Sequence, residues 1–144
     1  MLNPPSGLYI VQDIGEITQI IRELNLMFLA MGSSRKVYVL DKEYVLKVAT
    51  NDAGIAQNRT EALFSKRHSD APITKVVEHH KRYLWLIAER AEPLKYGDPV
   101  SVWPELNGIS DLEEITNLGR LRGEIVAVDY GLNSFVRKRF YAWS

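Results

Sequence analysis

Four polar residues could share one chemical task if the fold brings them together. Lys47 lies in the apolar run YVLKVA, Glu61 follows fourteen residues later, and Asn117 and Asp129 stand twelve residues apart. A lysine that points inward from a strand needs a carboxylate or a bound anion, because a lone buried ammonium is costly. Asn117 and Asp129 supply the hard oxygen ligands that suit Mg²⁺. A hairpin between these two residues would bring them close together.

Each of these residues also has an ordinary structural explanation. Lysines are common on edge strands, where they protect a sheet from pairing with another chain, and Lys47 could be one of them. Glu61 could be a solvated glutamate on a helix. Asp129 ends the apolar strand EIVAV and could simply accept a hydrogen bond from its own turn.

A short glycine-serine turn precedes the lysine hairpin. In AMGSSRKV, Gly32 allows a close backbone approach, while Ser33 and Ser34 offer hydroxyls and amides that could cradle a phosphate. A single glycine is explained equally well by an ordinary turn.

Two segments predict helices. DIGEITQIIREL places its isoleucines and leucine on one face, with Asp13 as the N-cap and Glu16 as its reciprocal partner. NDAGIAQNRTEALFSKRH has a helical texture that begins at Asn51 or Asp52.

The remaining periodic segments predict strands. KVYVL-DKE-YVLKVA forms one hairpin, ITKVV and YLWLIA form a second one broken at residues 79–82, and GRL-RG-EIVAV forms a third that turns at Arg122-Gly123. Between Glu92 and Gly108, prolines and glycines predict a connection with little regular structure. This order predicts an α+β domain built on an antiparallel sheet.

The bulk composition predicts a soluble, cytoplasmic, single domain. The chain has 144 residues, 18 basic and 18 acidic side chains and no cysteine. Balanced charge removes the simplest case for a nucleic-acid or membrane-surface protein, and the lack of cysteine excludes disulfides and thiolate metal sites. The first residues have neither a basic segment nor a long apolar run, so we expect no signal peptide and no membrane span.

The order of these parts resembles that of a protein kinase. AMGSSRKV keeps the middle glycine of the pattern G-x-G-x-x-G-x-V as Gly32, with Ala30 and Arg35 at the flanking glycine positions. VLKVA is similar to the third-strand lysine motif, and NRTEALFSK to the helix whose glutamate pairs with that lysine. YLWLIAERAEPL looks like the fifth strand running into the hinge. VDYGL resembles the Asp-Phe-Gly motif, with Tyr130 in place of phenylalanine.

The resemblance covers residues 28–132 and implies a protein-kinase-like N-lobe, an antiparallel sheet plus one packed helix, with a strongly truncated C-lobe. Within the single domain 1–144 it implies a helical extension at 1–27, an N-lobe-like part at 28–92 and a reduced C-lobe-like part at 93–144 that holds the metal-binding motif.

The resemblance also implies cofactors, ATP and Mg²⁺, and a set of residues for them. Magnesium would be held by Asn117 and Asp129, and Lys47 and Glu61 would form the catalytic ion pair. ATP would be bound by Gly32, Ser33, Ser34, Lys47 and the hinge backbone at Glu89 and Ala91.

The catalytic loop departs from the family pattern. ISDLEEITNLG has Ile-Ser where the family has His-Arg before the aspartate, which leaves Asp111 as the best candidate for the catalytic acid and Glu113 or Glu114 as substitutes. Asn117 follows Asp111 by six residues rather than five. The resemblance also implies that the segments that normally bind a peptide substrate are largely missing.

Two other chemistries have weaker support. His79 and His80 are adjacent in a strand and so point to opposite faces, which disfavours a zinc site. No nucleophile-elbow pattern supports a serine hydrolase. The basic aromatic tail with Arg137, Lys138 and Arg139 predicts a closing amphipathic helix with a solvated face in preference to a nucleic-acid contact.

Three functions follow as hypotheses. The first is a minimal kinase-like protein that binds ATP and Mg²⁺ and transfers phosphate to a protein. The second is an inactive kinase-like scaffold that binds a protein partner, such as a host protein. The third is an unrelated α+β interaction domain. The chain also resembles small kinase-like proteins of tailed phages, which implies the host cytoplasm as its location.

Overall fold

The computed structural model describes residues 2–94 and 118–128. Two antiparallel sheets and three helices make up this part of the chain, and the predicted α+β fold, an antiparallel sheet with one packed helix, is confirmed. In chain order the elements are α1 (Gly7–Ile10), α2 (Ile14–Leu24), β1 (Met27–Met31), β2 (Arg35–Val39), β3 (Tyr44–Ala49), α3 (Asp52–Arg67), β4 (Val76–His79), β5 (Trp85–Glu89), β6 (Glu92–Pro93), β7 (Leu118–Leu121) and β8 (Glu124–Ala127).

The larger sheet has five strands in the order β1-β2-β3-β5-β4, so that β3 is central. Residues directly opposite each other in an antiparallel pair share a face, and successive residues alternate between faces. Arg35 pairs with Ala49, and Val37 pairs with Lys47. Arg35, Val37 and Lys47 therefore project from one face of the sheet, and Leu46 and Val48 from the other.

Residues 2–24 cover the Leu46 face. The amphipathic helix α2 buries Ile17 and Ile21 there, as its sequence period predicts. Two side chains from β5 and from the turn before it also bond the N-terminal backbone. The indole Nε1 of Trp85 donates to the Leu8 carbonyl at 2.7 Å, and Nε2 of His80 lies 2.8 Å from the Val11 carbonyl. The apolar core lies between this segment and the sheet. Its buried members are Leu8, Val11, Ile17, Ile21, Leu46, Val48, Leu84, Trp85 and Ile87.

Both predicted helix starts are present. Asp13 accepts a hydrogen bond from the Glu16 amide at 2.8 Å, while the Glu16 carboxylate accepts from the Gln12 amide at 2.6 Å, one residue before the expected return contact. Of the two candidate caps of α3, Asn51 takes the position and accepts from the Gly54 amide at 3.0 Å. These side chains satisfy amides that the first helical turn leaves without partners.

Gly54 lets α3 approach the sheet closely. A Cβ on this residue would stand 2.1 Å from the Ser34 carbonyl oxygen and 3.0 Å from Cα of Ala49. The helix therefore begins directly against the turn between β1 and β2, and only glycine leaves enough room.

Three elements differ from the sequence expectation. Helix α1 and strand β1 were not predicted. Glu92–Pro93 forms the short strand β6, paired with β7, where we expected little regular structure. The final hairpin turns at Arg122-Gly123 as predicted, with φ of 50° and 80°, the left-handed backbone that a tight two-residue turn requires. Within residues 2–94 and 118–128, no helix is long and apolar enough to cross a membrane.

Candidate functional site

Lys47 and Glu61 meet between the central strand and helix α3. Nζ of Lys47 lies 2.7 Å from Oε1 of Glu61, and the two side chains are 6% and 0% exposed. Because β3 has β2 on one side and β5 on the other, Lys47 is not an edge lysine. Glu61 faces the sheet and is not solvated. The structure thus provides the inward lysine and its carboxylate partner that the sequence led us to expect.

The ammonium of Lys47 has a second partner at the end of β8. It donates to the Val128 carbonyl oxygen at 2.5 Å. Two backbone hydrogen bonds hold this strand end in place: the Thr74 amide donates to the Ala127 carbonyl and the Ala127 amide to the Pro72 carbonyl, each at 2.9 Å. The opening of the VDYGL segment is therefore anchored beside Lys47.

The two predicted metal ligands, Asn117 and Asp129, lie outside the described residues, and so does Asp111. The hairpin that separates the ligands is described. Leu118, which follows Asn117 in the sequence, pairs with Ala127. The β7–β8 hairpin therefore places the residue after Asn117 opposite a residue two positions before Asp129. The metal site itself remains a prediction.

Arg35 is a functional candidate that the sequence reasoning missed. Its guanidinium contacts Oε2 of Glu61 and donates to Oδ1 of Asn58 at 3.0 Å, and all three side chains are buried. The amide of Asn58 in turn donates to the Tyr83 carbonyl at 3.0 Å. The sequence signal was limited to the two-residue spacing of Arg35 and Val37, which places both on one face of β2; that this is the face of Lys47 follows from the pairing of Val37 with Lys47.

The glycine-serine turn is tied to the start of α3. The Gly32 amide donates to the Arg35 carbonyl at 2.9 Å and closes the turn. The Ser34 carbonyl accepts from the Thr50 amide at 2.9 Å, and the Ser33 carbonyl accepts from Nδ2 of Asn51 at 3.4 Å. A Cβ on Gly32 would contact nothing within 4 Å, so the fold itself does not require glycine there.

The backbone of the predicted hinge is hydrogen-bonded to residues that directly precede β3 and β4. The Glu89 amide donates to the Lys75 carbonyl at 3.0 Å, and the Arg90 amide donates to the Glu43 carbonyl at 2.7 Å. The Glu89 carboxylate accepts from the Lys75 amide and pairs with Arg122, each at 2.9 Å. Glu89 thus links the two sheets, which is a structural role the sequence did not indicate.

Ala91, the other predicted hinge residue, packs against the second sheet. A Cβ built on Gly119 would lie 2.8 Å from the Ala91 side chain. The proposed adenine contacts of Glu89 and Ala91 remain predictions.

His80 is a structural histidine. Its Nε2 donates to the Val11 carbonyl at 2.8 Å, and its Nδ1 accepts from the Arg82 amide at 3.0 Å, so both ring nitrogens have backbone partners. This pattern requires the neutral ring, and burial lowers the pKa of His80. Within the described part of the chain, no three His, Asp or Glu side chains are grouped as a metal site.

Comparisons with known proteins gave a structural likeness and no match in sequence family. No protein-family model matches the chain, and no curated protein matches it significantly. Among solved structures it is similar to the SAICAR synthase of Saccharomyces cerevisiae complexed with SAICAR, at 17% identity and a TM-score of 0.37. That likeness covers 46% of this chain and 34% of the synthase chain, so this chain spans about a third of the length of that protein.

Proposed function

We propose that this protein binds ATP with Mg²⁺ through a reduced protein-kinase-like site centred on Lys47, and that it transfers phosphate to a protein substrate. The single observation that carries the proposal is the buried ion pair of Lys47 with Glu61, set beside the Val128 carbonyl.

A buried lysine on a central strand is an expensive feature. Taking an ammonium and a carboxylate out of water costs several kcal/mol per ion, and apolar residues of similar volume often give equal or better stability. Such a pair is best explained by a task that needs a positioned positive charge. Binding phosphate oxygens is a task of that kind, because phosphoryl transfer depends on positioning and on charge neutralisation.

The chemistry of Lys47 and of the predicted metal ligands suits a nucleotide with its metal. The ammonium is a compact charge on a flexible stem with three donors, which suits contact with phosphate oxygens. Leu118 follows Asn117 in the sequence and Val128 precedes Asp129. The side chains of Asn117 and Asp129 carry oxygens of the kind that magnesium prefers as ligands. When bound, ATP would supply the phosphoryl group and Mg²⁺ would neutralise its charge. Asp111 would accept the proton of the attacking hydroxyl.

Calorimetric titration of ATP, with and without Mg²⁺, tests the binding proposal. Wild-type protein should bind, and Lys47→Met, which keeps most of the side-chain volume, should bind at least about tenfold more weakly because the phosphate loses a charge-assisted contact. Lys36→Met is the matched control, since Lys36 is adjacent to Arg35 on β2 and points to the opposite face. Equal affinity of wild type and Lys47→Met would contradict the proposal.

Phosphate transfer needs a separate assay. In incubations with labelled ATP, Asp111→Ala should retain nucleotide binding and lose autophosphorylation. Retained autophosphorylation in this variant would show that Asp111 is not the proton acceptor.

One observation favours the scaffold alternative. Edge strand β1 exposes four large apolar side chains: Met27, Phe28, Leu29 and Met31 are 68%, 52%, 48% and 67% exposed. Exposed apolar edge strands are typical of surfaces that pair with another chain. The scaffold function predicts that titration of ATP into wild-type protein releases no binding heat. It also predicts that wild type forms a complex with a protein partner and that the Leu29→Lys variant does not. A partner complex that survives Leu29→Lys and Met31→Lys would contradict it.

A further inference from the structure

Asn58 links helix α3 to the turn that joins β4 and β5. Its Oδ1 accepts a hydrogen bond from the Arg35 guanidinium, and its Nδ2 donates to the Tyr83 carbonyl, each at 3.0 Å. The side chain is fully buried. A buried amide is unfavourable unless its polar atoms are bonded, and here both ends of the amide have a partner. The two bonds tie the helix to strand β2 and to the turn at the same time.

Glu61 lies on the same face of α3 as Asn58. The two residues stand three positions apart, a spacing that places side chains next to each other on a helix. Both contact the Arg35 guanidinium, and Glu61 also accepts from Lys47 at 2.7 Å. A rotation or shift of α3 that breaks the Asn58 contacts would therefore also move the carboxylate that pairs with Lys47.

The carbonyl that accepts from Asn58 belongs to a residue with a left-handed backbone. Tyr83 has a φ of 64°, in the region that glycine adopts most readily, and its amide donates to the His80 carbonyl at 3.0 Å to close the turn. A residue with a Cβ is strained in this conformation. The backbone conformation of Tyr83 sets the direction of its carbonyl. Substitutions that permit or disfavour this conformation therefore test the contact with Asn58.

We propose that Asn58 is a positioning residue, which holds α3 at the β4–β5 turn so that Glu61 stays paired with Lys47 while the ammonium contacts phosphate. The inference rests on the proposed phosphate contact of Lys47. Apolar packing is not directional and allows a helix to shift slightly on a sheet, whereas the two hydrogen bonds of Asn58 oppose such a shift. A misplacement of about 1 Å can lower a rate about a hundredfold, so loss of this link should affect the site more than the fold.

The first test replaces the amide of Asn58 by an apolar side chain of similar size. In calorimetric titration, Asn58→Leu should bind ATP with Mg²⁺ roughly tenfold more weakly than wild type, within the usual range of coupling between sites. Heteronuclear NMR gives a readout that does not depend on nucleotide. The ammonium signal of Lys47, identified by its absence in Lys47→Met, should shift or disappear in Asn58→Leu.

Asp13→Ala controls for a loss of stability alone. This variant removes the cap of α2, on the sheet face opposite to α3. It should have a lower melting temperature than wild type, because an N-cap stabilises its helix. Its affinity for ATP and its Lys47 signal should match those of wild type.

A matched pair of variants at Tyr83 tests the link without altering α3. Tyr83→Gly and Tyr83→Val both remove the ring, which stacks on His79. Glycine adopts the left-handed backbone without strain, whereas a β-branched residue is an outlier there. Tyr83→Gly should therefore keep the carbonyl in place and bind ATP like wild type. Tyr83→Val should resemble Asn58→Leu in affinity and in the Lys47 signal.

Melting temperatures show which variants are folded, and the Tyr83 pair decides the inference if Asn58→Leu is not. Wild-type affinity with an unchanged Lys47 signal in folded Asn58→Leu or Tyr83→Val would overturn it. A loss of affinity without a change in the Lys47 signal would overturn it as well, since Asn58 would then act by another route. Equal losses in Tyr83→Gly and Tyr83→Val would assign the effect to the lost ring and contradict the link through the carbonyl.

The two readouts separate this inference from the proposed function. A wild-type protein that does not bind ATP would remove the nucleotide function, and the Lys47 signal would then decide whether Asn58 holds the ion pair. ATP binding by wild type that Asn58→Leu leaves unchanged would remove the Asn58 inference alone.

Discussion

Lys47 and Glu61 join the central strand β3 to helix α3 through a buried hydrogen bond of 2.7 Å. Glu61 is fully buried, and Arg35 contacts its second oxygen. The position of α3 on the sheet is therefore coupled to a small charged cluster as well as to apolar packing. Disturbing that cluster should alter stability and binding together.

Replacing Glu61 should destabilise the protein strongly. In Glu61→Ala the two cations lose a buried carboxylate, and breaking a buried pair in this way typically costs about 3–5 kcal/mol. Glu23→Ala is the matched control, because Glu23 is exposed on α2 and its loss should change the free energy of unfolding by less than about 0.5 kcal/mol. Urea denaturation measures both. Similar stabilities for the two variants would show that the charged cluster contributes little.

Replacement by alanine should lower stability at Gly54 but not at Gly32. Gly54→Ala places Cβ 2.1 Å from the Ser34 carbonyl, so α3 must shift, and overpacking of this kind costs about 1–3 kcal/mol. Gly32→Ala meets nothing within 4 Å and should leave stability almost unchanged. Thermal unfolding of the two variants checks this. Unaltered stability of Gly54→Ala would mean that the helix does not approach the turn so closely.

The stability should fall in mild acid because of His80. Burial is the largest cause that lowers its pKa, and the charges of Arg82, Lys81 and His79 act in the same direction, while the bond to the Val11 carbonyl opposes them. The folded-state pKa thus lies below that of the unfolded chain, about 6.5. The stabilisation by neutral His80 is complete above that pH and is lost as the pH falls below it.

Melting temperatures at about pH 7.5 and about pH 5.5 test this on either side of the unfolded-state pKa. His80→Gln should lose less stability between the two conditions than wild type does. His79→Gln, at an exposed position, should behave like wild type. An equally steep fall in His80→Gln would assign the acid sensitivity to other groups.

The sequence predicted elements whose signals are local. Helix α2 has an apolar stripe and an Asp cap, and the β7–β8 turn has an Arg-Gly pair, so both were predicted from their own residues. The structure shows positive φ at both turn residues. Strand β1 was missed because its five residues, MFLAM, are all apolar and so show no alternation of apolar and polar positions, although all five are exposed. Strand β6 has two residues, too few for any periodicity.

Helix α3 shows why the site was only partly predictable. Its buried face holds Gln57, Asn58 and Glu61, so a search for apolar periodicity cannot find the side that packs on the sheet. Lys47 and Glu61 were found because the order of motifs resembles a kinase. Arg35 was missed because that pattern has glycine at its position, and the contact with Glu61 depends on strand register that only the three-dimensional structure reveals.

The most direct test of the central claim is calorimetric titration of ATP, with and without Mg²⁺, into wild-type protein and Asp129→Ala. We predict magnesium-dependent binding by wild type and no binding by Asp129→Ala. The melting temperature of the variant should be unchanged, because an acid that follows a strand contributes little to the apolar core. A wild-type protein without nucleotide affinity, together with an Asp129→Ala variant that only melts at a lower temperature, would contradict the claim and leave Asp129 as a structural turn residue.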